Sequence, residues 1–185
     1  MAQNFINVTP GSGASVATKK IADLEHQRVI LHEDRQLKLL SVALSTTGDY
    51  NAGYSVGTPI IFTDSFRNVG EFLVIEELSI LTKESLQPEL DILLFTDTLV
   101  VPGTDRTLFE FGSFDDFLKI QSKLSIDSAD YVSHGDFSEA TLHGLNIPVK
   151  ANLAGKDLYL KLLAKNTFTA SQADSLRVRL KFKMD

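Results

Sequence analysis

The sequence has no cysteine and no tryptophan, and it has only 5 prolines in 185 residues. Without a thiol, the chain has no cysteine nucleophile, iron–sulfur cluster, zinc ribbon or redox switch. No disulfide is available to stabilise it, but a chain of this length buries roughly 70% of the surface that its unfolded form exposes. The sequence therefore predicts a soluble protein that is held together by an apolar core.

Positive charge is also scarce, with 18 Lys and Arg against 24 Asp and Glu and a net charge of −6. Residues 68–148 hold 4 basic and 15 acidic residues, whereas residues 149–185 hold 8 basic and 3 acidic residues. Affinity for nucleic acid depends on clustered Lys and Arg, so we expect no nucleic-acid partner. The first residues lack a secretion signal, and no apolar run approaches the ~20 residues that cross a bilayer. We expect synthesis in a cytoplasm and no membrane partner.

Motifs for catalysis and metal binding are missing as well. The sequence contains no His-Glu-x-x-His, no Gly-x-Ser-x-Gly, no phosphate-binding loop and no Gly-x-Gly-x-x-Gly. His26 and His32 are six residues apart, which does not fit a helical metal pair. We therefore predict no catalytic residues, no cofactor and no metal. The acids from Asp115 to Glu139 leave one alternative of another class, a carbohydrate-binding sandwich.

Short apolar runs separated by Gly, Pro, Asn and Asp follow one another through the chain. Residues 157–165 place Leu158, Leu160 and Leu162 on one face, and residues 175–183 alternate throughout. Residues 72–75 are apolar on both faces and residues 77–80 alternate, which indicates a bulge where the strand runs out to the rim of its sheet. The sequence predicts an all-β antiparallel sandwich of jelly-roll or related Greek-key type.

Helical signals are confined to short pieces, of which residues 113–121 are the clearest. Ser113 is a typical N-cap residue, and Asp115 and Asp116 follow it in the first turn. Helical spacing places four side chains on one side: Phe114, Phe117, Leu118 and Gln121. We expect this side to cover one open end of the sandwich.

The beginning of the chain contains mostly small, polar and turn-forming residues and cannot form a core of its own. We predict an extended N-terminal arm at residues 1–24, followed by one sandwich domain at residues 25–185. Such an arm is expected to lie on a neighbouring molecule, with Phe5, Ile6 and Val8 as its apolar anchors.

Four basic side chains project from one face of the last predicted strand: Arg177, Arg179, Lys181 and Lys183. One interpretation is an exposed edge strand whose charges prevent aggregation. The other is a cationic strip that binds an acidic surface of a neighbouring molecule. The two interpretations are compatible, and we predict partner binding by these four residues.

Several segments resemble, in the same order, those of tailed-bacteriophage structural proteins. The similar segments are residues 16–21, 25–29, 59–62, 73–75 and 90–95, a proline-containing loop at 101–103, and residues 157–160 and 176–180. One difference is Ala22-Asp23-Leu24, where the familiar pattern has Gly-Gly. The resemblance implies a virion component with a β-sandwich body, present in many symmetric copies, held by extended termini and strand edges, and without an active site.

We therefore expect a non-enzymatic structural component of a tailed-phage virion that decorates or cements the capsid through its arm and sandwich edges. The expected partners are the major capsid protein or other virion proteins, together with further copies of the chain in a homo-oligomer. The expected location is the virion, after assembly in the host cytoplasm. The alternative within the same particle is a neck, tail or head-fibre component.

Overall fold

The computed structural model describes residues 15–21, 24–30, 38–44, 48–99, 103–172 and 175–184. The chain divides into two compact units, Met1–Arg35 and Gln36–Asp185. In the first unit, β1 (Ser15–Ile21) and β2 (Leu24–Ile30) pair with each other in a two-stranded antiparallel sheet. The division into an arm at residues 1–24 and a sandwich at residues 25–185 stays a prediction.

The described residues of the second unit form eleven strands, one short α-helix and one 3₁₀ turn. These elements are β3 (Lys38–Leu44), β4 (Gly48–Tyr50), β5 (Ser55–Phe62), β6 (Phe72–Lys83), β7 (Leu90–Phe95), α1 (Phe114–Leu118), β8 (Ile120–Ile126), the 3₁₀ turn (Ser128–Asp130), β9 (Tyr131–His134), β10 (Phe137–Lys150), β11 (Leu158–Ala164), β12 (Phe168–Ala170) and β13 (Leu176–Met184).

The strands of the second unit pair in a nested order. The innermost pair is β7 with β8, and around it lie the pairs β6 with β10, β5 with β11 and β3 with β13, all antiparallel. Two further pairings, β13 with β6 and β11 with β7, bend this ribbon into two sheets. Their strand orders are β3-β13-β6-β10-β9 and β5-β11-β7-β8, and β4 pairs with β12 separately.

This strand order is that of a jelly roll. The prediction of an all-β antiparallel sandwich is confirmed. The main core lies between the two sheets and is built from alternate residues of the long strands. Leu158, Leu160 and Leu162 of β11 belong to this core, as their spacing predicts, and Val178 and Leu180 of β13 belong to it too. Burial of each such side chain contributes roughly 1.5–3 kcal/mol to folding.

The bulge predicted in β6 is present at Glu76. Glu77 lies opposite Lys181, but the next pair towards the start of β6 joins Ile75 to Phe182, so Glu76 is skipped. The expectation that β6 runs out to a rim at this point is wrong. β6 lies in the middle of the five-stranded sheet, and Leu78 beyond the bulge is fully buried.

Candidate functional site

The structure places the cationic strip (Arg177, Arg179, Lys181 and Lys183) on β13, between β3 and β6. The edge-strand interpretation is therefore wrong, because the backbone of β13 is hydrogen-bonded on both sides. The strip alternates with core residues, so it faces away from the core. It lies on the outer face of the five-stranded sheet, where Arg177 is exposed and the other three are partly buried.

The two ends of the cationic strip differ in their surroundings. Lys183 forms an ion pair with Glu76, and Lys181 lies opposite Glu77 in the strand register. At the other end, Arg177 lies opposite Leu81 and Arg179 opposite Ser79. Among the side chains that the structure describes, neither arginine has an ion-pair partner. Lys181 has no ion-pair partner among these side chains either, since Glu77 pairs with His143, and Glu139 lies on the same face in the row of Arg177, one strand beyond Leu81. Arg177 is the most exposed of the four, so the arginine end presents the most accessible positive charge of the strip.

The predicted arm anchors Phe5, Ile6 and Val8 lie outside the described residues. Their role in partner binding stays a prediction.

The described residues of the connection between β7 and β8, 96–99 and 103–119, lie against the outer face of the four-stranded sheet. A second apolar cluster joins Leu93, Phe95 and Leu99 to the partly buried Phe109, Ile120, Tyr159 and Leu163. Backbone hydrogen bonds join the connection to the start of β5, since Arg106 N donates to Ser55 O at 2.9 Å and Ser55 N donates to Thr107 O at 2.8 Å. The middle of this sheet, at β7 and β11, is therefore covered on its outer face as well, whereas Ile61 of β5 stays 49% exposed.

Lys161 of β11 is completely buried beneath this connection. Its Nζ donates to the carbonyl oxygens of Gly57, at 2.7 Å, and Gly103, at 3.2 Å. Burial lowers the pKa of Lys161 to about 8, and the charge of Asp105 partly opposes that shift. Alternation predicts that Lys161 faces away from the leucines of its strand, which is correct, but no local pattern indicates that this face is covered.

Asp105, which belongs to the same connection, forms hydrogen bonds with β4 and β5. Its Oδ1 accepts hydrogen bonds from the backbone N of Gly57, at 2.7 Å, and from the hydroxyl of Tyr50, at 3.0 Å. Burial, with a further contribution from the charge of Asp105, raises the pKa of Tyr50, so this hydroxyl stays protonated and keeps donating. Lys161 and Asp105 thus hold the connection against β4 and β5.

Helix α1 begins as predicted, but its faces are reversed. The Oγ of Ser113 accepts a hydrogen bond from Asp116 N at 3.2 Å, which is the expected N-cap contact. Asp116 is fully buried, whereas Phe114, Phe117 and Leu118 are 73%, 53% and 61% exposed. The expectation that this apolar side, with Gln121, covers an end of the sandwich is wrong.

The physical reason for the reversal is an ion pair on the inner side of α1. Lys119 Nζ lies 3.0 Å from Asp116 Oδ1 and also donates to the carbonyl oxygen of Thr98 at 2.7 Å. A buried carboxylate needs such a partner, and the pair fixes which side of this five-residue helix faces inward.

The exposed side of α1 and the residue Phe111 form an aromatic patch, which we define as Phe111, Phe114, Phe117 and Leu118. The rings of Phe111 and Phe117 meet edge to face with centroids 5.5 Å apart, and Phe114 lies 6.2 Å from Phe117. Phe111 also contacts the half-buried Phe109, at 5.0 Å, which belongs to the second apolar cluster. Contiguous exposed apolar groups are common at surfaces that contact other proteins.

The sequence contains a signal for this patch, namely a high density of phenylalanine. The helix prediction assigns these side chains to the buried side of the helix instead. Residues 109–117 contain four of the chain's 12 phenylalanines, interleaved with Glu110, Asp115 and Asp116. A segment with so many aromatic residues and so few other apolar ones is too short to bury all of them itself.

The acids from Asp115 to Glu139 are spread over the fold. Asp115 precedes β8 and Asp127 follows it, and a seven-residue strand spans about 23 Å. Two carboxylates that cleave a glycosidic bond lie within about 10 Å of each other. Asp127 instead pairs with Lys165, and Asp130 accepts a hydrogen bond from Asp127 N at 2.8 Å. Asp115 and Asp127 therefore lie near opposite ends of β8 and do not face each other across a groove.

In the part of the chain that the structure describes, no three His, Asp or Glu side chains are grouped in a way that could hold a metal ion. His143 Nδ1 lies 3.0 Å from Glu77 Oε2 on the outer face of the five-stranded sheet. None of the described helices has the length and apolar character that are needed to cross a membrane.

No family model matches the chain, and no curated protein matches it. Among solved structures, the chain is similar to "Structure of infectious bursal disease virus Gx strain", with a TM-score of 0.33, 10% identity, and coverage of 91% of this chain and 36% of that chain. It is also similar to "Native virion of Kashmir bee virus at neutral pH", with a TM-score of 0.30, 11% identity, and coverage of 98% and 93%.

A third similar structure is "Crystal structure of infectious bursal disease virus VP2 subviral particle", with a TM-score of 0.31, 11% identity, and coverage of 91% of this chain and 37% of that chain. The chain therefore spans little more than a third of the length of the two infectious bursal disease virus chains. The jelly-roll assignment rests on strand pairing and not on these likenesses, and the resemblance to tailed-phage proteins stays a prediction.

Proposed function

We propose that this chain is a non-enzymatic structural component of a tailed-bacteriophage particle, which decorates or cements the capsid. The observation that carries the proposal is the aromatic patch, with Phe114 73% exposed on a helix whose buried side is an ion pair. A rigid jelly roll that presents aromatic side chains to solvent has the character of a module that binds other proteins. The order of the phage-like sequence segments adds to this support.

The proposed partners are the major capsid protein or other virion proteins, and further copies of the chain. In a symmetric shell each contact is repeated many times, so contacts of modest affinity hold firmly through avidity. The arm supplies one such contact, through Phe5, Ile6 and Val8. The cationic strip supplies another, to an acidic surface of a neighbour.

The arm contact is tested by replacing its three anchors, Phe5→Ser, Ile6→Ser and Val8→Ser, in one variant. The matched control replaces polar residues of the same segment, Gln3→Ser, Asn4→Ser and Asn7→Ser. We expect the anchor variant to keep its thermal unfolding midpoint but to lose co-sedimentation with particles that lack the native protein, while the control variant still binds. Equal binding of both variants would remove the arm from the proposal.

The location within the particle is tested by copy number. Decoration or cementing predicts a number of copies that follows the lattice of the shell. A small number, matching one ring or one fibre, would move the chain to the neck, tail or head fibre.

A further inference from the structure

We infer that copies of this chain associate head to tail, with the aromatic patch of one copy seated on the arginine end of the cationic strip of the next. The proposed function does not say which surfaces join one copy to another, and the inference rests on that proposal only for its setting in a particle. The two surfaces belong to the same compact unit, Gln36–Asp185.

Contacts with buried residues fix the position of the aromatic patch. Phe109 is packed in the second apolar cluster, and the ring of Phe111 lies 5.0 Å from it. Phe111 in turn contacts Phe117, and the Asp116–Lys119 pair fixes the orientation of the helix that carries Phe117. A patch that is already ordered loses little conformational freedom on binding, which favours association.

The charges beside the aromatic patch are acidic. Glu110 and Asp115 are both exposed next to patch residues in the chain, whereas Asp116 is buried and paired with Lys119. A complementary surface therefore needs basic groups that can also lie on aromatic rings. Arginine meets both requirements, because its guanidinium stacks on rings and forms two parallel hydrogen bonds with a carboxylate.

Arg177 and Arg179 provide such a surface. They project from the outer face of the five-stranded sheet, and no described side chain forms an ion pair with either of them. Leu81 lies beside Arg177 in the strand register and is only partly buried, so the face offers apolar area as well as charge. At the opposite end of the strip, Lys183 is paired with Glu76.

The two surfaces lie on opposite sides of the sandwich. The aromatic patch connects to the cluster outside the four-stranded sheet, and the arginines lie outside the five-stranded sheet, with the main core between the sheets. One molecule therefore cannot join its own patch to its own strip. A contact between them is heterologous, and its repetition generates a ring or a chain of copies.

The test uses two full-length variants and their mixture. The first, Phe114→Asp with Phe117→Asp, lacks the patch and keeps the strip; the second, Arg177→Glu with Arg179→Glu, lacks the strip and keeps the patch. Sedimentation velocity is measured for the wild type, for each variant and for the mixture, in about 50 mM and about 500 mM salt. Matched controls are Leu153→Asp, another strongly exposed apolar residue, and Lys150→Glu with Lys156→Glu.

We expect the wild type and both controls to associate beyond a dimer at low salt and to dissociate at high salt. Each patch or strip variant alone is expected to be monomeric, with an unchanged thermal unfolding midpoint. Their mixture is expected to form a one-to-one dimer and nothing larger, because only one functional junction is left between the two variants.

A mixture that stays monomeric would overturn the inference, and so would a wild type that is monomeric at all concentrations. Association that survives in either variant alone would also overturn it, because the patch and the strip would then not form the junction. In each of these cases the chain could still be found in purified particles, so failure of the inference is separate from failure of the proposed function.

Discussion

The Nζ atom of Lys161 donates a hydrogen bond to the carbonyl oxygen of Gly103 at 3.2 Å, and thereby joins the middle of β11 to the connection that covers it. A second bond from the same Nζ reaches Gly57 O of β5 at 2.7 Å. The aromatic patch lies further along the same connection. The contacts of Gly103 therefore help to fix the position of the proposed contact surface.

Replacement of Gly103 by alanine is expected to be strongly destabilising. Gly103 has φ +70°, and an added Cβ would lie 2.5 Å from Ser55 Oγ. The left-handed conformation costs a non-glycine residue about 1–2 kcal/mol, and overpacking adds about 1–3 kcal/mol. We expect Gly103→Ala to lower the free energy of unfolding by about 3 kcal/mol, as measured by urea denaturation.

The matched control for this substitution is Gly135→Ala. Gly135 has φ +66°, but nothing lies within 4 Å of its added Cβ, so only the conformational cost of about 1–2 kcal/mol applies. Among the residues that the structure describes, Ser55 Oγ is buried without a hydrogen-bond partner, so its removal costs no such bond. Phe109 Cδ2 would still lie 3.0 Å from the added Cβ, so Ser55→Ala should rescue most, but not all, of the difference between Gly103→Ala and the control. An unchanged defect in the double variant would show that the overlap with Ser55 is not its cause.

The stability of the chain is expected to depend on pH through Lys161. The pKa of Lys161 is lowered by burial from its ordinary value of 10.5 to about 8, so between these values the unfolded chain holds this proton and the folded chain does not. Folding is therefore penalised below pH 8, and the penalty is relieved as the pH rises from 8 towards 10.5.

Comparison with Lys161→Met isolates this effect, because the variant lacks the titrating group. The wild type should gain stability relative to the variant across that pH range, by up to about 3 kcal/mol in urea denaturation. A difference between the two proteins that stays constant from pH 7 to pH 10 would contradict a buried, charged Lys161.

The orientation of α1 is expected to depend on Asp116. Asp116→Ala removes the carboxylate that lies 3.0 Å from Lys119 Nζ, at a cost of about 2 kcal/mol for a buried, charge-assisted hydrogen bond. Asp115→Ala is the control, since Asp115 is exposed in the same helical turn and should change stability by about 0.5 kcal/mol. Hydrogen exchange should quicken at residues 113–119 only in the Asp116 variant; equal effects would refute the role of the pair.

The strands that could be predicted from the sequence are those with large apolar side chains at alternate positions, such as β11 and β13. β10 was not predicted, although it is the longest described strand of the second unit. Two of its inward positions are Ser138 and Ala140, which are buried but small, so the alternation is weak in the sequence. β8 is not predicted as a strand, because the predicted helical segment includes its first two residues.

The aromatic patch and the burial of Lys161 depend on where residues 96–99 and 103–119 lie, which no local period in the sequence encodes. A five-residue helix can turn either side inward. The side that carries Asp116 faces inward here because Lys119 pairs with Asp116 and also donates a hydrogen bond to the carbonyl oxygen of Thr98. The position of β13 within its sheet depends likewise on β3 and β6, which are distant in sequence. Local patterns thus predict which side chains share one face of a strand, but not which of the two faces is covered by other parts of the chain.

The most direct test of the central claim is the copy number of this chain, relative to the major shell protein, in purified native particles. Quantitative mass spectrometry of intact particles gives this ratio. Decoration or cementing of the capsid predicts a ratio that follows the symmetry of the shell lattice, with many copies per particle. Absence of the chain from the particles would contradict a structural role in the virion.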